Sequence, residues 1–201
     1  MQRFISFFLA FGLCGFMPHV LASSETPEQL VRQSSRDVLE IIRKNDKDPL
    51  KVRELVDARV APLVDYTHMT QLAAGRHWKT ATPEQQQALT REFRTMLVRT
   101  YLSALTIYKN AQVDVKSVRA GNSPSEQDVR TEVNLPGEKP ITLDFSFEKS
   151  GADWKVYDIS VGGVSFINNH RNTFASVIRS EGIDGLIKQL ASRNAASSAS
   201  K

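Results

Sequence analysis

The stretch Ile141-Thr142-Leu143-Asp144-Phe145-Ser146-Phe147-Glu148 decides the fold. Apolar Ile141, Leu143, Phe145 and Phe147 alternate without a break with polar Thr142, Asp144, Ser146 and Glu148. Period two over that length marks a strand with one face buried and the other in water. On its N-terminal side, Val113, Val115 and Val118 and then Val129, Thr131, Val133 and Leu135 repeat the pattern. On its C-terminal side, Trp154 to Val161 gives a fourth strand. Gly121-Asn122-Ser123-Pro124, Pro136-Gly137 and Ser150-Gly151 break the run between them, and such short connections imply an antiparallel meander.

Helical spacing surrounds this block. Thr26-Pro27-Glu28-Gln29 is a capping box with proline at the first helical position, followed by Leu30, Val31, Val38, Ile41 and Ile42. Asp48-Pro49 opens a second helix carrying Val52, Leu55, Val56 and Val60, and a short third runs from Tyr66 to Ala74 before Gly75. Thr82-Pro83-Glu84-Gln85 opens the longest, expected to reach Tyr108 and so to span about 39 Å. Leu89, Phe93, Met96, Leu97, Thr100, Ala104, Ile107 and Tyr108 share one broad face of it, and Val98, Leu102 and Leu105 fill the other side, which places oily material on both flanks. After Gly162-Gly163 two more helices are expected, over 165–180 and 184–191. Helices, then strands, then helices make an α+β fold, with helices packed on one face of a curved four-stranded antiparallel sheet.

The 201 residues suit one domain with a sizeable core. Arg3, the apolar run from Phe4 to Met17 and Val20-Leu21-Ala22 read as a signal peptide over 1–22, and the run falls short of the roughly 20 apolar residues of a membrane span. The folded domain is expected over 23–193, with a disordered Ser/Ala-rich tail over 194–201. Cleavage after Ala22 removes Cys14, the only cysteine, so no disulfide or thiol chemistry is expected. The net charge of +4 comes from scattered bases, a balance that suits anionic membrane surfaces and head groups but not nucleic acid.

No dinucleotide fingerprint, phosphate loop, zinc-protease helix or nucleophile elbow is present. His68 and His77, nine apart, do not share a helix face, so no metal or cofactor is called for. Asp144 and Asp158 on neighbouring strands, with Tyr157, are the candidates for acid–base chemistry, and Asp144 points outward on the alternation. Arg91 and Arg94 lie where they could meet a phosphate at a rim or simply face water. What remains is an excess of large apolar residues on facing surfaces. The long helix offers Phe93, Met96, Leu97, Tyr101 and Tyr108, the sheet offers Leu143, Phe145 and Phe147, and the late helix offers Val164, Phe166, Ile167, Phe174 and Ile178. Periodicity alone favours an ordinary closed core for these.

At these residues the sequence resembles the MlaC-type periplasmic phospholipid-binding proteins, the toluene-tolerance family. The matching segments are Asp65-Tyr66 with Met69, Gly75 with Trp78-Lys79 and Ala81-Thr82, and Phe93, Leu97, Thr100-Tyr101, Ala104-Leu105 and Tyr108. Leu143-Asp144-Phe145, Trp154 with Val156-Tyr157-Asp158-Ile159, Gly163-Val164-Ser165 and Gly182-Ile183-Asp184-Gly185-Leu186 complete them, in order along the whole mature chain. The resemblance implies an apolar pocket between helices and sheet and a non-enzymatic carrier shuttling phospholipids between outer and inner membranes to maintain outer-membrane lipid asymmetry. It implies an outer-membrane lipoprotein–porin complex and an inner-membrane ABC transporter complex as partners. Acyl chains would meet Phe93, Met96, Leu97, Thr100, Tyr101, Ala104, Tyr108, Leu143, Phe145, Phe147, Val164, Ile167, Phe174 and Ile178, in a pocket expected at the upper end of ligand sites, about 1,000 Å³. The alternative is a small cone-shaped isomerase or dehydratase using Asp144, Asp158 or Tyr157.

Overall fold

The structure, a computed structural model, describes residues 25–103 and 105–199. The expected signal peptide and Ala104 lie outside the described residues.

The capping signals place the helices. α1 (Pro27–Lys44) begins at the reciprocal box of Thr26 and Gln29, and α2 (Pro49–Val60) begins where Asp48 accepts from the Lys51 N–H. α3 (Tyr66–Ala74) is capped by Asp65 and ends at Gly75, whose φ of 58° requires glycine. α4 (Pro83–Leu102) begins at the Thr82–Gln85 box but ends six residues before Tyr108. Its expected last turn and a half is instead a separate 3-10 turn over Leu105–Asn110. Leu105 and Tyr108 thereby pack on Ile42, Val52 and Val56, and the Arg43 guanidinium donates to the Lys109 and Ala111 carbonyls.

The strands are β1 (Gln112–Ala120), β2 (Glu126–Asn134), β3 (Ile141–Ser150) and β4 (Asp153–Val161), joined in chain order as an antiparallel meander. A fifth strand, β5 (Val164–Ser165), corrects the expected four. Gly162 and Gly163, both with positive φ, form the two-residue hairpin that turns Val164 and Ser165 back onto Val161 and Ser160. Irregular register in β1 near Lys116 and in β4 near Tyr157 adds local twist and curvature.

Ser165 then starts α5 (Phe166–Ala199) by accepting from the Asn168 N–H, while Asp158 accepts from Ser165 and from the Ile167 N–H. α5 breaks at Gly182 (φ 74°, ψ 179°), the boundary between the two expected helices. The helix continues into the stretch read as a disordered tail. Asn194 is buried there, and its side-chain amide donates to the carbonyl and carboxylate of Glu92 on α4.

Among the described residues the core is three clusters rather than one. Met69, Ala73, Phe93, Phe174 and Leu186 knit α3, α4 and α5 together. Leu30, Val31, Val129, Phe147 and Val156 join α1 to the sheet, and Ile42, Val52 and Val56 join α1 to α2. Among the described residues no helix is long and apolar enough to cross a membrane.

Two predictions follow from the first cluster. Phe93 is 1% exposed and lies edge-on to Phe174 at 5.0 Å, so Phe93→Ala should cost about 3–5 kcal/mol in denaturant melts. His170 lies 5.2 Å from the Phe93 ring, with a buried Nε2 that has no hydrogen-bond partner among the described residues. Burial first, and Arg193 second, hold its pKa below the ordinary value. The folded chain therefore favours neutral His170, whereas the unfolded chain takes up a proton near pH 6.5. This contribution to stability is complete above about pH 6.5 and is lost as pH falls toward the lower folded value. Thermal melts across that range should show His170→Leu to be less acid-sensitive than the parent.

Candidate functional site: an apolar cavity between sheet and helices

β3 supplies the back wall. Because side chains alternate, Ile141, Leu143, Phe145 and Phe147 all face the helices, in register with Val133 and Thr131 of β2 and with Val161, Ile159 and Val156 of β4. The polar alternates face water and pair across strands. Arg130 grips Asp144 through both carboxylate oxygens at 2.9 and 3.2 Å, and Lys116 meets Glu132 at 2.8 Å.

Opposite the sheet, α1 contributes Leu30, Val31, Ser34, Val38 and Ile42 from one stripe, the helical i, i+4 pattern over about 18 Å. α2 adds Val56 and Val60, and α4 adds Leu97, Val98, Tyr101 and Leu102. Tyr101 stacks on Phe166 at 4.1 Å, so α5 enters the wall only at its first residue. These surfaces enclose a cavity of about 380 Å³. That is the lower end of ordinary ligand sites, below the expected volume, because Tyr101, Tyr108, Phe145, Phe147 and Phe166 all contribute bulk to its walls.

No charged side chain is among the described residues lining the cavity. The lining residues with polar side-chain atoms are Ser34, Ser35, Tyr66, Tyr101 and Tyr108, and the Ser34 hydroxyl already donates to the Leu30 carbonyl. Burial raises the pKa of Tyr101. Burial, then the nearby Asp57, raises that of Tyr66 against the opposing pull of Arg94. Both phenols are therefore neutral at physiological pH and act as amphipathic wall, not as acids or bases.

Of the side chains expected at the site, Leu97, Tyr101, Tyr108, Leu143, Phe145 and Phe147 line this cavity. Phe93, Ile167, Phe174 and Ile178 sit in the cluster between α4 and α5, with Met96 packed against it. Thr100 and Val164 are exposed, the latter at 57%. The expectation that the late helix forms the third wall is thus corrected: α1 and α2 form it, because α5 turns its apolar stripe to α3 and α4. The signal was present in Leu30, Val31, Val38 and Ile42, whose stripe is too long for the small cluster it makes with α2.

The candidate catalytic groups lie elsewhere. Asp144 is on the outer sheet face with Arg130, Asp158 caps α5, and Tyr157 packs beside His68 at 5.2 Å. Burial first raises the pKa of Tyr157, with Glu126 and Asp128 adding to it. His68 pairs with Glu148 at 2.6 Å, and no trio of His, Cys, Asp or Glu able to hold a metal occurs among the described residues. Arg94 is committed to structure: it holds both oxygens of Asp57 on α2 at 2.7 and 2.9 Å and lies over the Tyr66 ring. Arg91 meets its neighbour Glu92.

Comparison with known proteins agrees with this architecture. The phospholipid-binding protein from Ralstonia solanacearum, solved in complex with a phospholipid, superposes with a TM-score of 0.77 at 39% identity, covering 84% of this chain and 97% of that one. The intermembrane phospholipid transport system binding protein MlaC of Haemophilus influenzae is 26% identical over 190 residues, 90% of this chain and 89% of its own length. The toluene tolerance protein ttg2D of Pseudomonas putida is 23% identical over 177 residues, 86% and 82% of the two chains. The family model described as MlaC protein matches residues 32–192, nearly the whole described fold, and the chain belongs to the MlaC family.

Proposed function

We propose that this chain is a periplasmic carrier that takes phospholipid acyl chains into the cavity and shuttles the lipid between the outer and inner membranes, helping to maintain outer-membrane lipid asymmetry. The observation that carries this reading is the cavity itself: apolar walls, without a charged side chain among the described lining residues, between a sheet and helices that leave it uncollapsed. As a member of the MlaC family the chain is a binding protein and not an enzyme.

The energetics suit hydrocarbon. A buried methylene is worth about 0.8 kcal/mol, so two tails with on the order of 30 methylenes resist entering water by roughly 24 kcal/mol. A carrier must offset nearly all of that, and only an apolar cavity can. Leu97, Tyr101, Tyr108, Leu143, Phe145 and Phe147 are proposed as tail contacts. The head group stays in water, so recognition by the cavity is of tails rather than of head groups. Export by the signal peptide over 1–22 would deliver the chain to the periplasm. An outer-membrane lipoprotein–porin complex and an inner-membrane ABC transporter complex would there donate and accept the lipid. Direction comes from those partners, because a carrier with equal affinity for both states shifts no equilibrium by itself.

Native mass spectrometry of the protein purified without delipidation, and again after exchange with phospholipid vesicles, should show bound phospholipid in both cases. Protein free of lipid in both would reject the reading. Phe145→Glu and Tyr101→Glu each place a charge in the cavity wall, at a cost of several kcal/mol to a bound tail, and should abolish lipid retention. Val164→Glu, at an exposed residue outside the lining, should leave it intact in a chain of the same melting behaviour.

A further inference from the structure

The cavity has direction. Along β3 its lining runs from Ile141 through Leu143 and Phe145 to Phe147. Ile141 pairs with Val133 at the β2–β3 turn, where residues 136–140 are exposed, and Ile107 at 63% exposure precedes β1 on the same side. The other end is sealed. Phe147 (2%), Val156 (5%) and Val31 (4%) are buried with Leu30 and Val129, and Trp154 packs against that cluster. Between the ends Leu143 and Phe145 are only half-buried.

Two rulers measure the same axis. The six residue steps of antiparallel strand from Ile141 to Phe147 span about 20 Å. The twelve residue steps of α1 from Leu30 at the sealed end to Ile42 beside Tyr108 span about 18 Å. Tails of one bilayer leaflet occupy about half of a hydrocarbon core roughly 30 Å thick, or about 15 Å. The cavity is therefore long enough to take a leaflet-length tail along its axis, with a packed wall at its far end.

On the carrier reading, on which this rests, we infer that the Phe147–Leu30–Val31 floor selects acyl chains by length: tails that reach the floor are accepted, and longer ones are rejected. A tail that overruns leaves its surplus methylenes in water at the open end. Each surplus methylene lowers transfer from a bilayer about fourfold, the equivalent of about 0.8 kcal/mol.

Moving the floor in opposite directions tests this. Phe147→Leu deepens the cavity. Ser34→Leu, one turn from Leu30 toward the open end, fills it from a position that already lines it, and replaces a serine bonded to the Leu30 carbonyl by a better helix former. Parent and both variants are exchanged with vesicles of one head group carrying tails of graded length, and the bound lipids are read by native mass spectrometry. Phe147→Leu should extend the accepted range to longer tails, and Ser34→Leu should shift it to shorter ones, with the share at the limit changing about fourfold per methylene. Should Phe147→Leu fold poorly, the shift of Ser34→Leu alone decides. Loaded, folded variants with the parent's length distribution would overturn the inference while leaving the carrier standing. A parent that takes up no phospholipid would overturn both.

Discussion

Every part of this fold answers to one constraint: a carbon-walled space must be kept open between the sheet and the helices. Unfilled volume forfeits dispersion contacts, so the surrounding structure has to resist collapse. Here the resistance comes from placing closed clusters around the space rather than through it. The α3–α4–α5 cluster, the α1–sheet cluster and the α1–α2 cluster each bury their own apolar residues and hold one wall apiece. Charged ties then fix the walls relative to each other from outside the cavity. Arg94 joins α4 to α2 through Asp57, Arg59 joins α2 to α1 through Asp37 at 2.6 Å, and Arg43 holds the turn after α4 by two carbonyls. Pairs as exposed as these are individually weak. Their geometry is what counts, since each spans two walls and none enters the cavity.

The sheet was the most legible part. In β3 the inward residues are all large and apolar and the outward ones all polar, so face and register follow together, and the breakers at 121–124, 136–137 and 150–151 leave only a meander. Helix starts were equally plain, because Thr26 and Thr82 each carry a glutamine three residues on and a proline in the first turn. Helix ends were not. Nothing local stops α4 at Leu102; Leu105 and Tyr108 leave the helix because a distant cluster on α1 and α2 receives them. β5 leaves no signal in the sequence for the opposite reason: two residues are too few to show a period.

Periodicity identifies which side of an element is apolar, but not what that side faces. Phe93 on α4 and Phe174 and Ile178 on α5 are as regularly spaced in their helices as Leu97 and Tyr101, yet the first three close on each other while the latter two border the cavity. The distinction depends on the break at Gly182 and on the turn after Ser165, which together aim α5 at α3 and α4. The wall that α5 does not form falls to α1 and α2. Their contribution could be read only by asking where a stripe as long as Leu30 to Ile42 finds enough partners.

The same geometry argues against chemistry in the cavity. Acid–base catalysis needs a titrating group within reach of its substrate, usually with a pKa shifted toward the working pH. The groups bordering this space are serine and tyrosine hydroxyls, and burial moves Tyr66 and Tyr101 further from physiological pH, not toward it. Asp144 is spent on Arg130, and Asp158 on the start of α5. What such walls can do is discriminate by shape and by carbon count. A phosphate-bearing head group would find no buried partner among the lining residues, and a charge drawn inward would lose its hydration without compensation. On the proposed carrier reading, the lipid's own polarity would orient it, head toward solvent and tails toward Phe147, without any side chain dedicated to that task.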